Sequence, residues 1–337
     1  MEELRLIIEN KYDIKVNSIE QLNIKTYNKC YKIKSLDKEY FFKHLFNNET
    51  KNFKAKLIDQ LKIMNFFKNK DIEIMLPIEN NKNELLTEHN SEFYLLYEFQ
   101  KIDNKNPDNW GEIAAKKLAE FHKIGFEFNE EVNTGTYQLN KSIPDITNLF
   151  HPNKDKRPSV ISRLNDSEFS KRLEKDLPYL KELIIEISHY NHKAELGKKS
   201  ILHYDLNESN ILFSQGEFFS ITDFDFSHVG HIETDLIKFA RYASYCKKTN
   251  TINLNKFINY INIYRQRAKE LNFEVIIDNR TFFTYLLFIP LRRLVYAAEQ
   301  ILKGTELEFL YDIDIEFLKN MKSIENEFMQ IDFNKKN

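Results

Sequence analysis

Residues 201–225, ILHYDLNESNILFSQGEFFSITDFD, set the tightest condition on how this chain can fold. Two short apolar runs, Ile211–Phe213 and Phe218–Thr222, flank the turn signal Gln215-Gly216, so the segment reads as a β-hairpin. Polar residues stand at its two open ends. His203, Asp205 and Asn210 precede it in the spacing H-x-D-x-x-x-x-N, and Asp223 follows it within Asp-Phe-Asp. A hairpin of this length brings Asn210 and Asp223 back together. Magnesium takes oxygen ligands and keeps several waters, so one carboxylate and one amide oxygen suffice when phosphates complete the shell. A carboxylate set apart from that pair, Asp205, is placed to accept the proton of an attacking hydroxyl. Asp and Asn are also ordinary turn residues, and any one of the three alone would be read that way. All three together, each beside an apolar strand, point to chemistry. His203 is assigned to holding the loop, and Asp225 to a further or supporting metal contact.

His203-Tyr204-Asp205-Leu206 with Asn210-Ile211-Leu212, then Ile221-Thr222-Asp223-Phe224-Asp225 and Asp235-Leu236, resemble the aminoglycoside phosphotransferase and choline kinase family. The resemblance implies an α+β, bilobal, protein-kinase-like fold. A small N-terminal lobe, an antiparallel sheet with a helix over residues 1–100, would bind the nucleotide. A larger, mainly helical lobe, 101–337, would carry catalysis and the acceptor. The family moves the γ-phosphate of ATP or GTP, with Mg²⁺, to a hydroxyl of a small molecule: an aminoglycoside, a sugar, choline, an amino alcohol or an amino acid. By the same resemblance Asp205 is the catalytic base, and Asn210 and Asp223 hold the metal. The homoserine kinase-like, sugar kinase-like and spore-coat kinase-like branches look most similar. A second function stays open, that of a catalytically inactive kinase-fold binding or structural protein.

The N-terminal third reads as a short helix over Glu2–Glu9, a strand at Ser18–Asn23, and a hairpin in which Lys29–Ile33 and Glu39–Leu45 flank Ser35–Lys38. Period 2 puts Phe41, Lys43 and Leu45 on one face of the second hairpin strand. A strand lysine is ordinarily a surface residue whose stem covers apolar neighbours. Given the motif downstream, Lys43 sits where the family places its phosphate-binding lysine. A helix over Lys51–Lys68 should supply that lysine with a carboxylate partner, either Asp59 or Glu49 just before it, or neither. The turn Lys25–Asn28 carries no glycine, although nucleotide loops ordinarily use one so that backbone N–H groups can approach phosphates. Strands are expected at 71–77, 84–87 and 92–99, and the last leads Glu98 and Phe99 into the segment whose backbone would meet an adenine ring. A helix over Gly111–Ile124 follows, with His122 packed and hydrogen-bonded on its apolar face.

The rest of the chain supplies the frame. Residues 130–172 read as loops with short helices, and 173–195 as a long helix interrupted early by Pro178. Asp235–Cys246 reads as a helix whose first residue fixes the loop before it. Asn253–Leu271, Arg280–Leu302 and Glu306–Gln330 make a helical tail. Its Arg292-Arg293 pair reads as an ion-paired or solvated face, and its acidic run from Glu306 to Glu316 as solvated surface or a site for a cationic acceptor. With 49 basic against 51 acidic residues, no basic excess argues for nucleic acid as a partner. Two distant cysteines form no ligand-spaced cluster, no apolar run is long enough to span a membrane, and the N-terminus has no apolar leader. These features predict a cytoplasmic protein with no membrane partner, and they leave the oligomeric state open.

Overall fold

The computed structural model describes residues 1–23, 28–45, 53–103, 105–132, 146–152, 158–191 and 196–333. The glycine-free turn at 25–27 and Glu49 lie outside these residues. The chain forms two compact units, one of residues 1–110, 127–133 and 209–228, the other of 111–126, 134–208 and 229–337. The chain returns twice to the first unit, at 127–133 and 209–228.

In the first unit β1 (Ser18–Leu22), β2 (Lys29–Lys34), β3 (Glu39–Leu45), β4 (Thr87–His89) and β5 (Glu92–Glu98) form one antiparallel sheet in the order β1-β2-β3-β5-β4. Alternation divides its faces. Tyr31, Ile33, Phe42, Tyr94 and Leu96 pack on Leu4, Ile7, Ile8 and Tyr12 of α1 (Glu2–Tyr12), with Phe42 stacked on Tyr94 at 5.4 Å. Burying a ring such as that of Phe42 contributes about 2 kcal/mol. Phe41 and Lys43 therefore belong to the opposite face. There α2 (Phe53–Lys68) lies with Leu57, Gln60, Leu61 and Met64 buried.

The strand expected at 71–77 is reduced to a single parallel bridge between Ile74 and Ile221. Asp71 takes a left-handed conformation (φ 57°), and Pro77 brings no N–H to extend a ladder. The strand expected at 84–87 begins instead at Thr87. Asn80 Oδ1 already accepts the N–H groups of Lys82 (2.9 Å) and Glu84 (3.2 Å), which turns that segment into a loop.

The hairpin read from the central stretch is present as β7 (Ile211–Ser214) and β8 (Glu217–Ile221), after β6 (Lys199–Leu202). Both turn residues, Gln215 (φ 55°) and Gly216 (φ 81°), are left-handed, as a two-residue hairpin turn requires. Asp103 clasps that turn, its carboxylate accepting the N–H of Gln215 at 3.0 Å and of Gly216 at 2.8 Å.

The second unit is mainly helical: most of α3 (Trp110–Gly125), then α4 (Glu168–Asn191), α5 (Ile232–Ser244), α6 (Leu254–Glu270), α7 (Asn279–Ile301), α8 (Glu308–Ser323) and α9 (Glu325–Met329). A two-stranded sheet pairs β6 with β9 (His228–His231), and Tyr245-Cys246 pairs with Thr251-Ile252 after α5. The fourth helix starts earlier than expected and runs through Pro178, because Phe169 and Leu173 continue the buried stripe of Leu180, Leu183 and Ile187 upstream. On α7, Thr281 through Phe288 are consecutively buried, the mark of a central core helix. Arg293 is ion-paired, its guanidinium donating to the fully buried Asp314 of α8 at 2.7 and 2.6 Å. The acidic run after Glu306 is answered by cations: Arg172 bonds Asp312 at 3.0 Å and also reaches Glu308.

Candidate active site

The first unit holds a cavity of about 480 Å³, within the size range of small-molecule sites. Its apolar wall includes Phe41, Met64, Leu95, Tyr97 and Leu212, and Lys43, Asn210, Asp223 and Asp225 meet on its polar side. Lys43 Nζ lies 3.4 Å from Asp223 Oδ1 and 3.3 Å from Asp225 Oδ2. Burial works against the charge on Lys43, but Asp225 and Asp223 outweigh it and hold the ammonium well above the ordinary lysine range. Asn210 and Asp223 are brought together by the hairpin, where the N–H of Thr222 donates to the carbonyl of Asn210 at 3.0 Å. Asp223 itself takes a left-handed conformation (φ 64°), which costs energy for most residues other than glycine and which Asp adopts more readily than most. Opposite Lys43 in the β2–β3 register stands Cys30, a free thiol on the same cavity wall, pushed up by burial.

The carboxylates beside Lys43 come from the Asp-Phe-Asp turn rather than from α2. Asp59 pairs with Lys62 one turn along its own helix, at 3.8 Å. The second helix contributes Gln60 instead, a buried amide whose Nε2 donates to the Asp225 carbonyl at 2.7 Å and so ties α2 to that turn. Neither Asp225 as a lysine partner nor Gln60 was read from the sequence. The one signal available was an amide on the apolar stripe of α2, between Leu57 and Leu61. Glu98 and Phe99 both line the cavity. The Glu98 side chain turns to Lys38 at 2.7 Å, and the N–H of Phe99 is spent on the Glu39 carbonyl at 3.0 Å.

In the second unit, Asp205 sits on a loop pinned by buried groups. Asp235 lies in the first turn of α5 rather than at its start, because the helix begins at Ile232. Its carboxylate accepts the N–H of His203 at 2.8 Å and of Tyr204 at 3.0 Å, and meets His122 Nε2 at 3.1 Å. Burial pushes Asp235 up, but the His122 hydrogen bond, the two nearby histidines and the backbone N–H hold it below the usual carboxylate range. His122 is fully buried, as expected of a packed histidine, with Nδ1 2.6 Å from the Tyr264 hydroxyl. His203 also serves the loop, its Nδ1 accepting the Asp205 N–H at 3.2 Å. Asp205 is bounded by Asn207, whose Nδ2 donates to Oδ2 at 3.2 Å, and by Lys238, whose Nζ is 3.3 Å from Oδ1. Nothing in the sequence pattern singled out Lys238.

Residues 18–271 match the family model described as the phosphotransferase enzyme family. None of the curated protein sequences matches the chain. Among solved structures, spectinomycin phosphotransferase in complex with ADP and spectinomycin is 16% identical over 98% of each chain, with a TM-score of 0.68. Amicoumacin kinase in complex with AMP-PNP and Ca²⁺ is 11% identical, covering 99% of this chain and 96% of that one, with a TM-score of 0.67. A choline kinase from Streptococcus pneumoniae is 12% identical over 96% and 98%, with a TM-score of 0.61. At such identities these likenesses establish the fold, a protein-kinase-like one. The family match covers well over half of the sequence, so the chain belongs to the phosphotransferase enzyme family and is a phosphotransferase.

Proposed function

We propose that the chain transfers the γ-phosphate of ATP to a hydroxyl of a small molecule in a Mg²⁺-dependent reaction. The observation that carries this reading is Lys43 held against Asp223 and Asp225 on a cavity that Asn210 also lines. The donor set fits a magnesium nucleotide. It offers hard oxygen ligands from Asp223 and Asn210, a buried cation for phosphate oxygens, and an apolar wall for a base. Among the described residues no group of three His, Cys, Asp or Glu could hold a metal ion alone. Asn210 and Asp223 would hold the cation, and a cation held there would offset the charge that develops in phosphoryl transfer. The ADP and AMP-PNP bound by spectinomycin phosphotransferase and amicoumacin kinase support a nucleotide in the same role.

Each residue has a distinct task. Lys43 neutralises the phosphates that are not transferred. Asp205 orients the acceptor hydroxyl and takes its proton. Because the N–H of Phe99 is committed to the sheet, a purine edge at this segment would be met by the carbonyls of Glu98 and Phe99 or by Gln100. The acceptor belongs to the hydroxylated amines, sugars and amino acids, and the setting is cytoplasmic, consistent with two free cysteines.

The test is ADP release from Mg-ATP or Mg-GTP in the presence of choline, 1-amino-2-propanol, spectinomycin, homoserine and simple sugars. Acceptor-dependent release is expected with at least one, and Asp205→Ala should lower it by about 10²–10⁴-fold without loss of the nucleotide-induced rise in Tm. No release and no Tm response to Mg-ATP would instead identify an inactive member of the fold.

A further inference from the structure

We propose that Lys238 is a positioning residue for Asp205, holding both the catalytic carboxylate and the strained backbone that carries it. This rests on the kinase reading above. Lys238 is on α5, with only 8% of its surface exposed, and burying an ammonium is costly unless its hydrogens find partners. A leucine would fill such a position at no electrostatic cost. The lysine is directed instead at two adjacent residues of one loop. Its Nζ donates to the carbonyl of Tyr204, lies 3.3 Å from Asp205 Oδ1, and stands 4.4 Å from the centre of the Tyr204 ring.

The need for such a group lies in the backbone. Tyr204 has a φ of 60°, a left-handed conformation that a tyrosine adopts only when its surroundings enforce it. Both ends of the residue are enforced from one helix face. Asp235 accepts the Tyr204 N–H at 3.0 Å, and Lys238, three residues further along the same helix, donates to the Tyr204 carbonyl. The anion and the cation of a single helical turn thus fix one peptide unit on each side of Tyr204. The next residue is Asp205. With Lys238 at Oδ1 and the Asn207 amide at Oδ2, the carboxylate is held from both oxygens. General-base catalysis needs the base within hydrogen-bond reach of the proton it takes, so this clamp acts on the rate through Asp205 rather than through the nucleotide.

Two measurements on the full chain decide it. In steady-state kinetics with Mg-ATP and the most active acceptor of the panel, Lys238→Met should lower kcat by about a hundredfold, the cost of a misplaced catalytic group. The KM for ATP and the Mg-ATP-induced rise in Tm should stay near wild type. Lys238→Arg, which keeps the charge, should recover most of the loss. A Lys238→Met enzyme with wild-type kcat overturns the proposal, as does a parallel loss of kcat, ATP affinity and stability that Lys238→Arg fails to recover. The second measurement is a double-mutant cycle in urea with Lys238→Met and Asp205→Asn. Non-additive midpoint shifts support the pair, and additive shifts overturn it. The cycle needs no turnover. If the wild-type chain releases no ADP with any acceptor, it is the kinase reading that has failed, while the cycle still decides whether Lys238 holds Asp205.

Discussion

Asp223→Ala should lower turnover by about 10²–10³-fold, the scale seen when one preorganised electrostatic contact to a transition state is removed. The fold should survive. Lys43 has two carboxylate partners, and deleting Asp223 leaves Asp225 at 3.3 Å, so the buried ammonium is not stranded. The two effects separate cleanly in experiment: kcat from ADP release, stability from urea denaturation. If Asp223→Ala retains wild-type turnover, Asp223 does not hold the metal. If it unfolds, Asp225 does not compensate as the geometry implies.

A second large effect is expected at Asp235, this time on stability. Its carboxylate is completely buried and serves two backbone N–H groups and one histidine. Asp235→Asn keeps the shape but replaces one acceptor oxygen with a donor, and the loss should be about 3 kcal/mol, the upper end for leaving a buried donor without its acceptor. The pH dependence follows from the direction of the shift. A carboxyl whose folded pKa lies below its unfolded value, about 3.9, contributes stability that is fully present above that value. The contribution is lost as pH falls through the folded pKa. The stability gap between wild type and Asp235→Asn should therefore be widest near pH 7 and shrink below about pH 4. A gap independent of pH in urea titrations would remove the carboxylate charge from the explanation.

The parts of this molecule that were legible in the sequence are those set by short-range pattern. The β2–β3 hairpin, the helix of His122 and the β7–β8 hairpin all announce themselves through a period of 2 or 3.6 closed by turn residues. Gln215-Gly216 fixed its turn because few residue pairs accept two left-handed conformations in succession. The misreadings share a different origin. Ile74 makes one bridge where seven residues of strand were expected, since apolar content near a proline reads as strand whether or not a neighbouring edge is there to pair with. The partners of Lys43 lay 180 and 182 residues away, and no local pattern distinguishes an aspartate that binds metal from one that also balances a lysine. Asp235 was correctly taken to fix the preceding loop, but its helix was started three residues late because Thr234 and Asp235 are both ordinary N-cap residues and look like a helix start, whereas the helix begins at Ile232. Gln60 and Lys238 escaped notice for the same reason. Each is a polar residue on a buried helix stripe, which looks like an imperfection in the pattern until its distant partner is known.

The division of the chain between its units bears on how the protein is made. The first unit closes only with residues 209–228, and these bring Asn210, Asp223 and Asp225 to the cavity wall. A ribosome releasing the chain from its N-terminus must therefore deliver some two-thirds of it before that cavity can be completed. Until then the cavity-facing side of the sheet and the apolar stripe of α2 lack the hairpin that belongs with them, and a nascent chain paused before Ser209 would carry Lys43 without either of its carboxylates. On the function proposed above, nucleotide binding would appear late and abruptly in synthesis, and residues 1–100 expressed alone would lack Asn210, Asp223 and Asp225, which line the cavity.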